Sequence, residues 1–303
     1  MQKTLKSNIC FLIAAMIWGF AFVAQCDAAD KINMFWLIAV RYFLGGLAII
    51  PVILIFEKRG RLPFNKKTLI YGMICGTFLF TASSLQQWGI NLDPNAGKAG
   101  FITGTYTVLV PIFYFLFFKK KTGANVLIGA IFALLGLYLL SFKSGIRSIS
   151  LSDTVIFIGA LFWTGHIISI DRFVKDVSPI KLSCVQFFAC SFLGLIFTVF
   201  NKDMSFAMAF TQLNDSLMPI LYMGICSSGI AYTLQVIGQK GADPTYSAII
   251  LSTESVFAAA GGALFGIDEA MGARAYIGCA IIFIGIIFSQ ISFEDIKGKL
   301  KKA

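Results

Sequence analysis

The stretch "AIILSTESVFAAAGGALFG" (248–266) is an apolar run with a single charged residue, Glu254. A helix in water would turn this carboxylate toward the solvent, whereas a helix in lipid has no water beside it. An acid near the bilayer centre costs about 2.5–3.5 kcal/mol on insertion scales. The fold therefore depends on whether this stretch is surrounded by water or by lipid.

The composition of the chain indicates lipid. Of its 303 residues, 57% are hydrophobic and only 13% are charged, and the mean hydropathy is +0.81. Soluble domains carry about 25% charged residues, and each membrane span needs about 20 mostly apolar residues. The seven Cys form no C-x-x-C or Cys/His pattern, so neither a disulfide framework nor a zinc site is expected.

Hydropathy predicts an all-α polytopic membrane protein with ten transmembrane helices, because the apolar runs are too long for barrel strands. The first run follows Lys3 and Lys6, as in a signal peptide, but nine similar runs come after it, so we expect it to stay uncleaved. The predicted helices lie near residues 8–25, 34–56, 68–91, 97–118, 124–142, 153–170, 180–200, 217–238, 245–266 and 274–292.

The connections between these runs differ in charge. One set holds 18 of the 25 Lys and Arg, and the opposite set holds six. The positive-inside rule then places both termini in the cytoplasm. Since no nucleic-acid motif is present, the formal charge of +10 is assigned to the cytoplasmic side of the membrane. The basic set comprises the N-terminus, residues 57–67, 119–121, 171–181 and 239–243, and the C-terminal tail.

The chain contains an internal repeat, seen as four matches in order at offsets of 145 to 150 residues. The matches are "AAMIWGFAFVA" (14–24) with "GALFWTGHIIS" (159–169), "VRYF" (40–43) with "VQFF" (185–188), "SLQQWGINLDP" (84–94) with "TLQVIGQKGADP" (233–244), and Gly129 and Gly136 with Gly278 and Gly285.

This repeat predicts two halves, residues 1–148 and 149–303, with five spans each. Because five is odd, the second half enters the membrane inverted relative to the first. Inverted repeats are typical of secondary transporters, whose substrate site lies near the midplane between the halves.

The chain resembles the drug/metabolite transporter superfamily, specifically its ten-helix EamA-type permeases. The resemblance implies two five-helix bundles around a central cavity and transport of small metabolites. The ninth span has Ser255 where the family usually has Pro, and the fourth ends in "FFKKK" where the family often has an acid. The resemblance rests on "AAMIWGFAFVA" (14–24), "AVRYFLGGL" (39–47), "GKAGFITGTYTVLVPIF" (97–113), the run 248–266 and "IGCAIIFIGIIFSQ" (277–290).

Two charged residues within predicted spans are candidates for substrate binding or coupling. Glu254 either binds a substrate amine, carries a proton, or hydrogen-bonds a neighbouring helix and fixes its packing. Arg41 either clamps a substrate carboxylate through two hydrogen bonds or is structural, with its side chain reaching the interface or capping backbone carbonyls. An ion pair between the two would connect the predicted halves.

Two tryptophans fall in the middle of spans rather than in the interfacial belts. Trp18 and Trp163 either line a cavity and stack on an aromatic or cationic substrate, or pack in the core. His166, the only His, follows Trp163 by three residues; it either titrates in a proton-coupled cycle or is structural. No second ligand lies near it in the sequence, so no metal is expected.

Neutral polar residues complete the candidate site. Tyr106 aligns with Glu254 at an offset of 148, and Gln186 stands where the first half has Arg41. Together with Gln86, Gln87 and Gln235 they suit a small polar metabolite better than a purely hydrophobic drug, although such groups also bond helix to helix.

No Walker A, H-E-x-x-H or G-x-S-x-G motif occurs, so an enzyme and a cofactor are not expected. The sequence predicts a carrier of the cytoplasmic membrane, monomer or homodimer, whose partners are the lipid bilayer and a small molecule. The predicted cargo is an amino acid or related amine moved outward by alternating access; proton coupling and facilitated diffusion both stay open. The alternatives are a drug-efflux carrier, a metabolite importer, a channel with unsaturable flux, and a lipid-modifying enzyme.

Overall fold

A computed structural model describes residues 2–56, 64–120, 122–141, 149–200 and 205–290, and this described part is helical throughout. The helices are α1 (Gln2–Ala28), α2 (Met34–Phe56), α3 (Lys66–Leu92), α4 (Ala96–Gly104), α5 (Tyr106–Phe118), α6 (Ala124–Ser141), α7 (Leu151–Phe173), α8 (Pro179–Phe200), α9 (Phe206–Asp215), α10 (Leu217–Leu221), a π-helical segment (Tyr222–Ala231), α11 (Tyr232–Gln239), α12 (Pro244–Leu251), α13 (Glu254–Leu264) and α14 (Ala273–Gln290).

Each predicted apolar segment is helical over nearly the expected range. By length and composition, eight stretches of the described chain can cross a membrane, and the apolar helices α6 and α14 are shorter, with 18 residues each. Most of the basic residues of the loop 57–67, together with Lys121, Lys143, Arg147, Lys202 and the tail 291–303, lie outside the described residues.

The outer surfaces of these helices are apolar. Leu54, Phe117 and Leu264 are each at least 69% exposed, as suits side chains that meet lipid tails rather than water. All seven cysteines lie in the described part of the chain, where each is a free thiol.

Two spans that the sequence predicted as continuous helices are broken near their middle. The fourth span breaks at Thr105, between α4 and α5, and the ninth breaks between α12 and α13. In both places a tight turn replaces a helical bond: Thr105 N–H donates to the Ile102 carbonyl at 3.2 Å, and Thr253 N–H to the Ile250 carbonyl at 3.1 Å. Hydroxyl-bearing residues make these turns, and Pro111 lies within α5, beyond the break in the fourth span.

The eighth span is also irregular. Between α10 and α11 it widens into the π-helical segment, which contains Gly224 and Gly229. Such segments are rare and frequently lie at functional sites. Gly224 packs against Leu44 and the Arg41 carbonyl of α2, where an added Cβ would lie 3.2 Å from that oxygen. The segment therefore fits closely against the helix that carries Arg41.

Helices α6 and α14 are joined by two glycine contacts. A Cβ at Gly136 would lie 2.5 Å from the Gly278 carbonyl oxygen, and one at Gly129 would lie 2.6 Å from that of Gly285. Along this contact the residue numbers increase in α6 and decrease in α14, so the two helices run antiparallel. These four glycines are the ones that matched between the two halves of the sequence.

Hydropathy did not predict helix α9, because its ten residues, "FAMAFTQLND" (206–215), are too few to span a membrane. Ser205 caps it, with Oγ accepting from Met208 N–H at 3.2 Å. The Trp36 indole donates to the Ala209 carbonyl at 3.1 Å, which holds α9 against the start of α2. This helix covers one end of the bundle.

Candidate functional site

A cavity of about 490 Å³, a volume that includes space open to solvent, lies where the broken spans meet α1, α2, α3, α7 and the eighth span. Its wall is formed by Trp18, Ala21, Phe22, Gln25, Arg41, Gln86, Thr103, Tyr106, Trp163, Ile167, Ser227, Tyr232, Gln235, Leu251 and Glu254.

Glu254 is buried, and it is the first residue of α13. The backbone N–H groups of Ser255 and Val256, which follow it, donate to the Ser252 and Thr253 carbonyls at 3.1 and 2.9 Å, so the backbone stays hydrogen-bonded through the break. The Tyr106 hydroxyl donates to Glu254 Oε1 at 3.0 Å. Among the described residues, no group donates to Glu254 Oε2, so this oxygen is available to a bound molecule.

The two broken spans cross through a pair of equivalent hydrogen bonds. Ser255 Oγ donates to the Gly100 carbonyl at 2.6 Å, and Thr107 Oγ1 donates to the Ala248 carbonyl at 3.3 Å. The two donors, Thr107 and Ser255, are 148 residues apart in the chain, and so are the two acceptors, Gly100 and Ala248. The same offset relates Tyr106 to Glu254. The first bond joins α13 to α4, and the second joins α5 to α12.

Arg41 is 4% exposed, so its side chain does not reach the interface. Its guanidinium donates to the Tyr42 hydroxyl at 3.0 Å and contacts Met223 Sδ at 3.6 Å. Its Nε is buried without a hydrogen-bond partner in the described part of the chain. The buried cation therefore keeps a donor that an anionic group could use.

Arg41 and Glu254 both line the cavity, but no ion pair within 4.0 Å joins them in the part of the chain that the structure describes. The ion pair considered in the sequence analysis is therefore wrong for this state. An acid and a base that share a cavity without contacting each other can bind the two ends of a zwitterion.

Aromatic rings form one side of the cavity, and Tyr232 is at their centre. Its ring centroid lies 4.6 Å from that of Trp18 and 6.0 Å from that of Trp163, with which it stacks. The Trp18 indole donates to the Ser227 carbonyl in the π-helical segment at 3.2 Å. Stacked rings of this kind suit an aromatic or cationic group of a bound molecule.

Gln86 is the centre of a polar cluster on the wall of the cavity. Its Nε2 donates to Gln25 Oε1 at 2.9 Å, and its Oε1 accepts from the Trp163 indole at 2.8 Å and from Thr103 Oγ1 at 3.3 Å. The Gln86 amide thus holds α1, α4 and α7 together.

His166 and Gln186 do not line the cavity. They bond each other, with His166 Nε2 and Gln186 Oε1 2.9 Å apart, and both side chains are fully buried. The His166 ring meets Tyr232 edge-on at 6.0 Å, so the pair lies just behind the aromatic side of the cavity. No group of three or more His, Cys, Asp or Glu that could hold a metal ion occurs among the described residues.

Ion pairs tie both ends of the fourth span to other parts of the chain. Where α4 begins, Lys98 Nζ lies 2.7 Å from Asp153 and 3.1 Å from Asp93. Just beyond α5, Lys120 Nζ lies 2.9 Å from Asp243. The cavity is therefore flanked by polar contacts on both sides along this span.

Sequence reasoning missed Gln25, Tyr232, Ser227 and Thr103 as cavity residues, and it left Gln235 among the general polar groups. Gln25 carried a usable signal, because it is an amide within the first predicted helix, 8–25. Ser227 lines the cavity as part of the π-helical segment, and its backbone carbonyl accepts from the Trp18 indole. Hydropathy does not predict π-helical segments. The cavity brings together six of the predicted site residues: Trp18, Arg41, Gln86, Tyr106, Trp163 and Glu254.

Known proteins resemble this chain over almost its whole length. The EamA-like transporter family matches residues 5–142 and again 150–290. An uncharacterized transporter of Archaeoglobus fulgidus is 27% identical over 292 residues, 95% of this chain and 87% of the relative. The uncharacterized transporter YwfM of Bacillus subtilis is 24% identical over 281 residues, 91% of this chain and 90% of the relative.

A solved crystal structure shares the fold, with a TM-score of 0.74, 17% identity, and coverage of 94% of this chain and 96% of that chain. At this identity the likeness concerns the fold alone. The relatives and the apolar helices indicate a multi-pass membrane transporter rather than an enzyme. Because the family matches both segments and so nearly the entire sequence, the chain belongs to the EamA-like transporter family.

Proposed function

We propose that the protein is a secondary carrier that exports amino acids or related amines across the cytoplasmic membrane by alternating access. The observation that carries this proposal is the cavity itself. It holds a buried acid and a buried base that do not pair with each other, and it lies at the breaks of two spans. Broken helices that meet at a polar cavity are the usual substrate sites of secondary carriers.

The proposed architecture has ten spans in two inverted halves, residues 1–148 and 149–303, with both termini cytoplasmic. Two observations support the inverted relation. The glycines that match between the halves meet across antiparallel helices, Gly136 at Gly278 and Gly129 at Gly285. The crossing of the broken spans is held by hydrogen bonds whose partners are related by a single offset.

In this scheme, alternating access opens one of the two hydrogen-bonded contacts between the broken spans while the other contact stays closed. Opening the contact between α4 and α13 exposes the cavity to one side of the membrane, and opening that between α5 and α12 exposes it to the other. Glu254 binds the substrate amine or a coupling proton, and the carrier works as a monomer or homodimer.

The aromatic wall favours a second candidate, efflux of aromatic amines and other drug-like cations. Trp18, Trp163 and Tyr232 line the same cavity as Glu254. An aromatic cation would use the rings and the acid and would leave Arg41 without a partner, whereas an amino acid would use all of them.

Counterflow in proteoliposomes tests the proposal. Vesicles are loaded with one unlabelled compound and diluted into a trace of its radiolabelled form; the compounds are L-alanine, L-threonine, L-phenylalanine, L-lysine, putrescine and tyramine. A carrier of amino acids gives saturable, transient accumulation of at least one of the amino acids. Accumulation of tyramine alone would favour the efflux of aromatic amines. Flux that does not saturate would indicate a channel, and no counterflow with any compound would contradict the proposal.

A further inference from the structure

Gln86 and Gln235 occupy matching places in the two copies of the repeat, "SLQQWG" (84–89) and "TLQVIG" (233–238). Both side chains are buried, at 5% and 2% exposure, and both line the same cavity. Buried amides in folded proteins normally find hydrogen-bond partners, so the two can be compared group by group.

The comparison shows a difference between the copies. The Gln86 amide donates one hydrogen bond and accepts two, as described above. The Gln235 amide makes no hydrogen bond within the described part of the chain, and its Oε1 is shielded from solvent. A buried amide without partners costs folding free energy, so a reason for keeping it is needed.

Each of the three groups that satisfy Gln86 has a counterpart at the matching position of the other repeat, and none of these counterparts bonds Gln235 in the described part of the chain. Two counterparts are apolar: Ile170 stands 145 residues after Gln25, and Leu251 stands 148 residues after Thr103. The third is Trp18, the counterpart of Trp163, and its indole N–H is directed to a backbone carbonyl instead. The sequence itself has thus removed two of the three possible partners.

The free amide shares the cavity with the free oxygen of Glu254. An ammonium group has three N–H donors, and carbonyl and carboxylate oxygens are its natural acceptors. We propose that Gln235 and Glu254 Oε2 together bind the ammonium group of the transported amine. This inference rests on the proposed function, since it names the part of the substrate that the cavity recognises and a residue that recognises it.

The Trp18 indole N–H is an alternative hydrogen-bond donor to Gln235, and an experiment can distinguish it from a substrate ammonium group. A protein donor would satisfy Gln235 whether or not an amine is present. The substrate assignment therefore predicts that transport by the Gln235 variant loses its preference for a free amino group, which a purely internal bond would not affect.

The experiment compares Gln235→Met with its repeat-related control, Gln86→Met, because methionine keeps the length of the side chain and removes the amide. We expect Gln86→Met to lower the midpoint of thermal unfolding in detergent, whereas Gln235→Met leaves it unchanged or raises it. In proteoliposomes, Gln235→Met should reduce counterflow of the transported panel amine about tenfold, the loss expected for a hydrogen bond to a charged group. Gln235→Glu, which keeps an acceptor oxygen, should retain more counterflow than Gln235→Met.

Competition by L-phenylalanine and N-acetyl-L-phenylalanine completes the test, since acetylation removes the ammonium group. We expect the native carrier to prefer the free amine and Gln235→Met to prefer it less. Loss of thermal stability equal to that of Gln86→Met, unchanged counterflow, or an unchanged preference would each overturn the assignment. Absence of counterflow by the native protein with every panel compound would instead contradict the proposed function, and the amine assignment with it.

Discussion

The Tyr106 hydroxyl donates to Glu254 Oε1 at 3.0 Å, and each of the two residues begins the second part of a broken span. They are separated by 148 residues, the offset that also relates the two hydroxyl contacts at the crossing of these spans. A tyrosine and a glutamate at matching positions therefore meet each other. The two copies of the repeat therefore differ on the wall of the cavity, where the second copy has an acid in place of the tyrosine.

Replacing Tyr106 by Phe removes the donor to Glu254 and keeps the ring. A hydrogen bond of this kind contributes about 1 kcal/mol, so we expect counterflow to fall about fivefold. Tyr276→Phe is the matched control, because Tyr276 is 63% exposed and lies on α14, away from the cavity. Equal counterflow by the two variants would show that the Tyr106 hydroxyl does not support the site.

The two hydrogen bonds made by hydroxyl groups between the broken spans are expected to control the opening of the cavity to opposite sides of the membrane. Ser255→Ala removes the bond between α13 and α4, and Thr107→Val removes the bond between α5 and α12. In a cysteine-free background, maleimide labelling of Ala259→Cys should speed up with Ser255→Ala, and labelling of Thr245→Cys with Thr107→Val. Faster labelling of the same reporter by both substitutions would contradict alternating opening.

Arg41 is expected to recognise a carboxylate. Arg41→Gln should raise the half-saturating concentration of transported amino acids about tenfold or more, since a charge-assisted hydrogen bond is lost. Amines without a carboxylate, such as putrescine, should compete as before. Arg172→Gln serves as control, because Arg172 lies over the Phe118 ring outside the cavity. An equal loss for amino acids and amines would make Arg41 structural.

The glycine contacts between α6 and α14 predict a stability effect. A Cβ at Gly136 would lie 2.5 Å from the Gly278 carbonyl oxygen, so Gly136→Ala forces the helices apart. Overpacking of this kind costs about 1–3 kcal/mol, and the thermal midpoint in detergent should fall. Gly272→Ala is the control, because nothing lies within 4 Å of its added Cβ. Equal midpoints for the two variants would contradict the close contact.

Much of this organisation could be predicted from the sequence, because lipid imposes a strong pattern. Apolar runs placed the helices to within a few residues, and the internal matches identified glycines that do pack together. A charge inside an apolar run has a high cost, so Glu254 and Arg41 were recognisable as cavity candidates.

The local backbone could not be predicted in the same way. The breaks at Thr105 and Thr253 and the π-helical segment occur inside runs that hydropathy treats as uniform. The pairing of Glu254 with Tyr106 rather than with Arg41 depends on how the broken spans cross. Such distances follow from tertiary packing, which a single sequence does not contain.

Glu254 is proposed as the acid at which the cavity binds its cargo. Counterflow of the best panel amine by Glu254→Gln, with Asp215→Asn at the end of α9 as the control, tests this role. Both variants neutralise one acid, but only the first changes the cavity. We predict that Glu254→Gln loses saturable counterflow while Asp215→Asn retains it. Saturable counterflow by Glu254→Gln at the native rate and half-saturating concentration would contradict the claim.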